Sequence, residues 1–449
     1  MVIKRPEKKE TLAIKREERI RRQSALRKRL ARFTPRGWVE IGEAGALFFL
    51  FLINFLMLRP FFGKEDIANV FSAPVIPILA NLTSWIVPHS YGIRFWLLVF
   101  FALFPVTFYF FVREVSKRKL VAFFSGLIAC LPVGIFLPLR IEFGILSQDG
   151  AHMASLTIIP LVCYLLLRFL RNGNFWQGFL TALGTVLVAL TSPVGLLVLF
   201  VFMAVMTFSE MLLGRGRLKF LRFLTVVFLA AGFSAFWYNP KFFILMANSP
   251  QGELVKKTVG NLLPVSFFVL PVLGVGGFLF FENRPQFQPM FIAFFLSVAF
   301  GLFSLGAGVV HPLPSRFVPA LGISVAFLTG FLIVWFFDFL RLSSRIEKFK
   351  KLASNRQLAA FGLIFLFFIL TISTYVLKSK NLVALSDVRV LGLSEDKTVG
   401  IWEIRQNTTF FESLIGYGMT SLTFLSVAVL RNNLKRAREG LKQEEKARN

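Results

Sequence analysis

A chain of 449 residues could make two or three soluble domains, but 55% of this one is hydrophobic, 57 residues are Phe and only 17% are charged. With a mean hydropathy of +0.67, so much apolar surface cannot be hidden in water, and lipid is the solvent for most of the chain. Lys and Arg number 51 against 24 Asp and Glu, a formal charge of +27 that in a soluble protein would point to nucleic acid. Here the apolar background gives the charge another reading, as a signal of membrane topology, and no nucleic-acid partner is expected. Cys130 and Cys163 both lie in apolar runs, so neither a disulfide framework nor a thiolate metal site is indicated; three histidines do not suggest a His-rich centre.

In chain order, residues 1–37 form a basic tail too long and too charged for the start of a signal peptide. No small-residue cleavage site follows the first apolar stretch, which therefore reads as an anchor. Stretches of about 17 to 25 apolar residues suffice to cross the hydrocarbon as helices. Twelve are found, at 42–58, 93–112, 120–139, 151–169, 175–191, 193–213, 221–238, 262–281, 287–309, 315–338, 358–377 and 410–430. The expected fold is an all-α polytopic membrane protein, with a transmembrane domain over 38–430 and a second basic tail at 431–449.

Orientation follows from Lys and Arg in the connections. With the N-terminus in the cytoplasm, 38 of the 51 fall in inner segments and 13 in outer ones, so both termini are expected inside. The basic tails, with Arg21, Arg22, Arg27, Lys28 and Arg29 near the first span, are suited to anionic lipid headgroups. Three outer segments are long: 59–92, 239–261 and 378–409. The first contains Phe71–Val87, an apolar run broken by prolines, which reads as helices lying in the outer interface. The third contains strand-like pieces around Ser394-Glu395-Asp396 and reads as a small outer β-element near 380–405. Trp237 and Tyr238 read as an aromatic belt pair ahead of Asn239-Pro240.

Ionisable groups near a membrane are costly, so each is a candidate for function. The expected outer face offers a small set. Glu65 and Asp66 follow the first span; a carboxylate there could take a proton from a hydroxyl, or simply complement a helix N-terminus. Asp149 and His152 are three apart, so they share a helix face, where they could position a base or join a metal shell. The alternative is that Asp149 caps the fourth span. Arg316, in HPLPSRF before the tenth span, adds a guanidinium to free backbone N–H groups at a helix start, a phosphate site; snorkelling to headgroups is the alternative. Glu40, Glu43 and Glu210, near inner ends, read as structural, and Asp338 with Arg341 as an interfacial pair.

In arrangement, most of the chain resembles the GT-C class of membrane glycosyltransferases. Glu65 and Asp66, followed by 71–87, stand where that class carries an acidic motif beside interfacial helices. Asp149 matches its second acidic position. Thr191-Ser192-Pro193 joins two closely spaced spans like the class's hairpin, and Arg316 in PSRF resembles a basic residue that meets the donor phosphate. The sequence has an acidic pair where the class usually has Asp-x-Asp, and the outer C-terminal domain of some members is missing or reduced to 378–409. The resemblance implies an inverting transfer from a polyprenyl-phosphate-linked sugar on the outer face. In it Asp66, with Glu65, activates the acceptor, Arg316 stabilises the leaving phosphate, and Asp149 and His152 support the acceptor or a divalent metal, which the sequence allows without requiring. A twelve-helix secondary transporter or flippase has the same span count, and a non-catalytic GT-C-like scaffold would suit the altered acidic motif.

Overall fold

The computed structural model describes residues 36–58, 74–87, 89–130, 150–213, 216–248, 287–305, 317–343 and 409–448, with single positions 253, 256 and 260. Twelve helices are described and, among these residues, no strand: α1 (Arg36–Leu58), α2 (Val75–Leu82), α3 (His89–Ser116), α4 (Lys119–Cys130), α5 (Gly150–Asn172), α6 (Phe175–Thr191), α7 (Pro193–Leu212), α8 (Gly216–Ser234), α9 (Pro240–Ala247), α10 (Gln288–Leu305), α11 (Val318–Ser343) and α12 (Phe410–Arg448). Five contain stretches long and apolar enough to cross a membrane: Tyr91–Ser116, Gly150–Asn172, Pro193–Leu212, Val318–Phe337 and Phe410–Asn432. Four shorter apolar helices accompany them, at Gly42–Leu56, Lys119–Cys130, Phe175–Thr191 and Gln288–Ser304. This is a helical, multi-pass membrane protein. The expected spans at 262–281 and 358–377, and the β-element at 378–409, lie outside the described residues.

Residues up to Phe49 form one compact unit, of which the first half of α1 is described; Leu50 onward forms a second. In the second unit α5 is central. It packs against α3, α6, α7 and α8, and 78% of its most apolar window is buried. The same share for α12 is 11%, because that helix touches only α8 and α9 closely. Helix α3 packs also on α4, and α4 on α11, which in turn packs on α10. Phenylalanines fill the seams. Phe101, Phe104, Phe108 and Phe111 recur at helical spacing on α3, each fully buried, and Phe111 meets Phe202 of α7 and Phe327 of α11 with ring centroids 6.2 and 5.9 Å apart.

Lipid offers no hydrogen bonds, so each polar backbone group freed inside the bundle needs a protein partner. Pro105 lies inside α3 and has no N–H to give the carbonyl of Phe101 four residues earlier. The side chain of Asn54, buried on α1, donates to that carbonyl instead. The Phe100 carbonyl accepts from Thr157 Oγ1 of α5 at 2.8 Å, and the Thr157 carbonyl accepts from Thr107 Oγ1 at 2.8 Å. The kink at Pro105 thus stitches α1, α3 and α5 together. On α6, Thr181, Thr185 and Thr191 return their hydroxyls to carbonyls one turn back, at 2.6, 2.9 and 2.7 Å, which satisfies them without a partner helix.

The connections show the same economy. Helix α5 ends at Gly173, whose positive φ of 67° suits a residue without Cβ; its N–H bonds the Phe169 carbonyl at 2.8 Å. A side chain there would also strike Arg222, whose guanidinium caps the Leu170 carbonyl at 2.6 Å. Asn174 then caps α6, accepting from the Trp176 N–H at 3.1 Å. At the far end of α6, Ser192 is a one-residue corner. It ends α6 and caps α7, accepting from the Gly195 N–H at 3.2 Å, with Pro193 at the first helical position. Helix α12 opens on a reciprocal capping box: Thr409 N–H donates to Glu412 Oε2 at 2.7 Å and Glu412 N–H to Thr409 Oγ1 at 3.4 Å.

Candidate functional site

Of the residues singled out from sequence, Glu65, Asp66, Asp149 and Arg316 lie outside the described residues. His152 is described, and it is fully buried in the first turn of α5. Its carbonyl accepts from Ser155 Oγ at 2.6 Å. Ser155, itself buried, lies against Gly195 in the first turn of α7, so closely that a Cβ on Gly195 would come within 2.6 Å of Ser155 Cβ. The start of α5 and the Thr191-Ser192-Pro193 corner are therefore one structure, brought together by a glycine that lets two helices touch.

The segment after α8 completes this end. Helix α8 begins earlier than its apolar stretch suggests, at Gly216, and stops at Ser234; a turn over 235–238 follows. Tyr238 is not a belt residue. It is 8% exposed, its hydroxyl donates to the Ala189 carbonyl at 2.5 Å, and its ring packs on Phe242 with centroids 5.0 Å apart. The reason is that Asn239, buried, caps α9 by accepting from the Phe242 N–H at 2.8 Å, which folds the turn back onto the α6–α7 corner. Helix α2, with eight residues, is too short to cross a bilayer. Its buried Ile76 and Ala80 face the bundle, and Ile78, Leu82, Trp85 and Ile86 at and just beyond it are exposed. Trp96 of α3 holds it by donating to the Leu79 carbonyl at 3.1 Å and Thr83 Oγ1 at 3.0 Å.

The other polar concentration sits at the opposite end of α5, about 29 Å along the helix from His152 by the rise per residue. Glu210 of α7 is its centre, with a side chain only 2% exposed. One carboxylate oxygen accepts from Arg171 Nε of α5 at 2.8 Å and Gln288 Nε2 of α10 at 2.9 Å; the other accepts from Lys219 Nζ of α8 at 2.9 Å. Lys219 also donates to Glu210's own carbonyl at 2.6 Å. Arg171 reaches on to the carbonyl and carboxylate of Glu114 on α3, each at 3.2 Å, and to Gln288 Oε1 at 3.3 Å. Lys117 pairs with Glu114 from the exposed side. Two acids and two bases from four helices thus neutralise one another, and Gln288 joins a fifth helix. Sequence reading set Glu210 aside as structural. An acid inside the apolar run 193–213 was the available signal that it had a buried partner.

Among the described residues, no three His, Cys, Asp or Glu side chains come together to hold a metal ion. Cys130 and Cys163 are buried free thiols. No family model, no curated protein sequence and no solved structure matches this chain.

Proposed function

We propose that this chain is a GT-C-like integral membrane glycosyltransferase, with twelve spans and both termini in the cytoplasm, that moves a sugar from a polyprenyl-phosphate donor to an acceptor at the outer face. The observation that carries the reading is the meeting of the α5 start with the α6–α7 corner. The resemblance puts an acidic position before the fourth span and a tight hairpin after the fifth at one end of the molecule, and Ser155 against Gly195 is compatible with that arrangement. His152 is buried at the same place, three residues after Asp149.

In this reading Asp66, supported by Glu65, accepts the proton of the acceptor hydroxyl as the oxygen attacks the anomeric carbon. Attack comes from the side opposite the phosphate, so the configuration inverts. The bond from the anomeric carbon to the phosphate oxygen breaks, and polyprenyl phosphate leaves with the bonding pair. Arg316 and a helix N-terminus stabilise the negative charge that builds on it. Asp149 and His152 orient the acceptor or a divalent metal.

The test is release of polyprenyl phosphate from a panel of lipid-linked sugars by purified protein. Asp66→Asn and Arg316→Ala are each expected to lower the rate by about 100-fold or more, and His152→Ala by a smaller factor. Full activity in Asp66→Asn would remove that residue as the base. No release from any donor would favour a transporter or a non-catalytic scaffold.

A further inference from the structure

The Glu210 cluster divides the described chain in a specific way. Glu114, Arg171 and Glu210 belong to helices that precede residue 214, while Lys219 and Gln288 belong to helices that follow it. The cluster therefore joins the first half of the sequence to the second. A twelve-helix transporter of the two-half kind must separate its halves at each end in turn. At this end, separation would tear Lys219 and Gln288 from Glu210 together, and expose to lipid or water a carboxylate that now has a donor on every side.

A second, independent feature ties the same halves deeper in the bundle. Helices α4 and α11 approach so closely that a Cβ on Gly330 would lie 2.7 Å from the backbone nitrogen of Ser125. Phe202 and Phe300 meet at 5.3 Å between centroids, and Phe208 meets Phe291 and Phe295 at 6.4 and 6.2 Å. Interdigitated rings and backbone-to-backbone contact resist sliding, since close-packed interiors have discrete arrangements rather than continuous ones.

We propose that the Glu210 cluster is a permanent clasp between the two halves of the chain, which keeps the end of the bundle opposite His152 closed throughout the working cycle. Access to the interior is then confined to the His152 end or to the lipid-facing sides. The clasp stands whether or not the chain transfers a sugar. It is a statement about which end moves.

The experiment uses the full chain with Cys130 and Cys163 replaced by Ala, in phospholipid nanodiscs, with and without added polyprenyl phosphate. Spin labels at Leu120→Cys of α4 and Leu218→Cys of α8, both exposed at the clasped end, report the distance between halves. One narrow distance population, unchanged by the lipid phosphate, is expected. In parallel, Ser209→Cys, at a buried position beside Glu210, is treated with a polar thiol reagent. It should react about tenfold or more slowly than Leu218→Cys, as for a site exposed only by rare opening. Glu210→Gln should broaden the distances and speed labelling at position 209; Lys219→Met provides the same comparison if the first variant does not fold. Two distance populations in the wild type, or fast labelling at 209 without any clasp mutation, would overturn the proposal. So would wild-type distances and protection retained in both clasp variants.

Discussion

The two ends of α5 are held by different physics. At its last turn, Arg171 sits in a cluster where charge does the holding, and every partner is chosen by sign and reach. At its first turn, His152 and Ser155 sit where shape does the holding. Gly195 admits the neighbouring helix, Ser192 turns the corner in one residue, and Tyr238 closes the packing with a single neutral hydrogen bond. A charge cluster is costly to break and hard to rearrange, because each ion left behind stays desolvated. A neutral, shape-fitted corner can be altered one contact at a time. That contrast suits a molecule whose chemistry, in the proposed reading, lies at the His152 end.

The largest effect that tests this contrast should come from the charged end. Glu210→Ala leaves Arg171 and Lys219 buried without their carboxylate and is expected to cost about 3–5 kcal/mol. Reversible unfolding in detergent or bicelles measures it, and the loss should be nearly the same at low and high salt, since buried pairs are poorly screened. A loss below that of the next variant would mean the cluster is better hydrated than its burial indicates.

At the shaped end, Gly195→Val forces a side chain into Ser155 and is expected to cost about 1–3 kcal/mol. Restoring room with Ser155→Gly should recover part of it, and a double-mutant cycle reads the recovery as a coupling. Tyr238→Phe removes one hydrogen bond to the Ala189 carbonyl and keeps the ring. Its expected cost is about 1 kcal/mol by the same unfolding measurement.

The smallest effect belongs to the edge. Lys241 and Glu412 pair at 3.3 Å with side chains 39% and 26% exposed, so Lys241→Met should change stability by at most about 1 kcal/mol. At the α8–α12 contact, Thr420 accepts from the Phe236 N–H at 2.9 Å and donates to the Gly232 carbonyl at 3.0 Å. Thr420→Val there should cost about 0.6 kcal/mol, typical of a polar contact between membrane helices. If either edge variant matched Glu210→Ala, the distinction between a charged clasp and a loosely held periphery would fail.

Much of the local structure was legible in the residues themselves. The Thr191-Ser192-Pro193 corner, with its cap and its proline at the first helical position, follows from short-range rules that act within four residues. So does the lipid environment, which is a matter of total apolar content. Tyr238 was misread because belt and core tyrosines share the same amphipathic side chain; only the fold-back at Asn239 distinguishes them. The partner of the Phe101 carbonyl could be anticipated only as a need created by Pro105. That Asn54, 47 positions away, would meet it depended on how α1 packs on α3.

By itself, then, the sequence determined a helical solution in lipid: an apolar chain in a solvent without hydrogen bonds must satisfy its backbone within each segment, and that is a local problem. It also determined where helices start, stop and kink, because caps and prolines act on neighbouring carbonyls and N–H groups. Only the tertiary structure decided which charges cancel. Glu210 finds Arg171, Lys219 and Gln288 across separations of 39, 9 and 78 residues. Nothing in a one-dimensional pattern fixes such a meeting, since it depends on which helix faces are pressed together by the packing of apolar side chains.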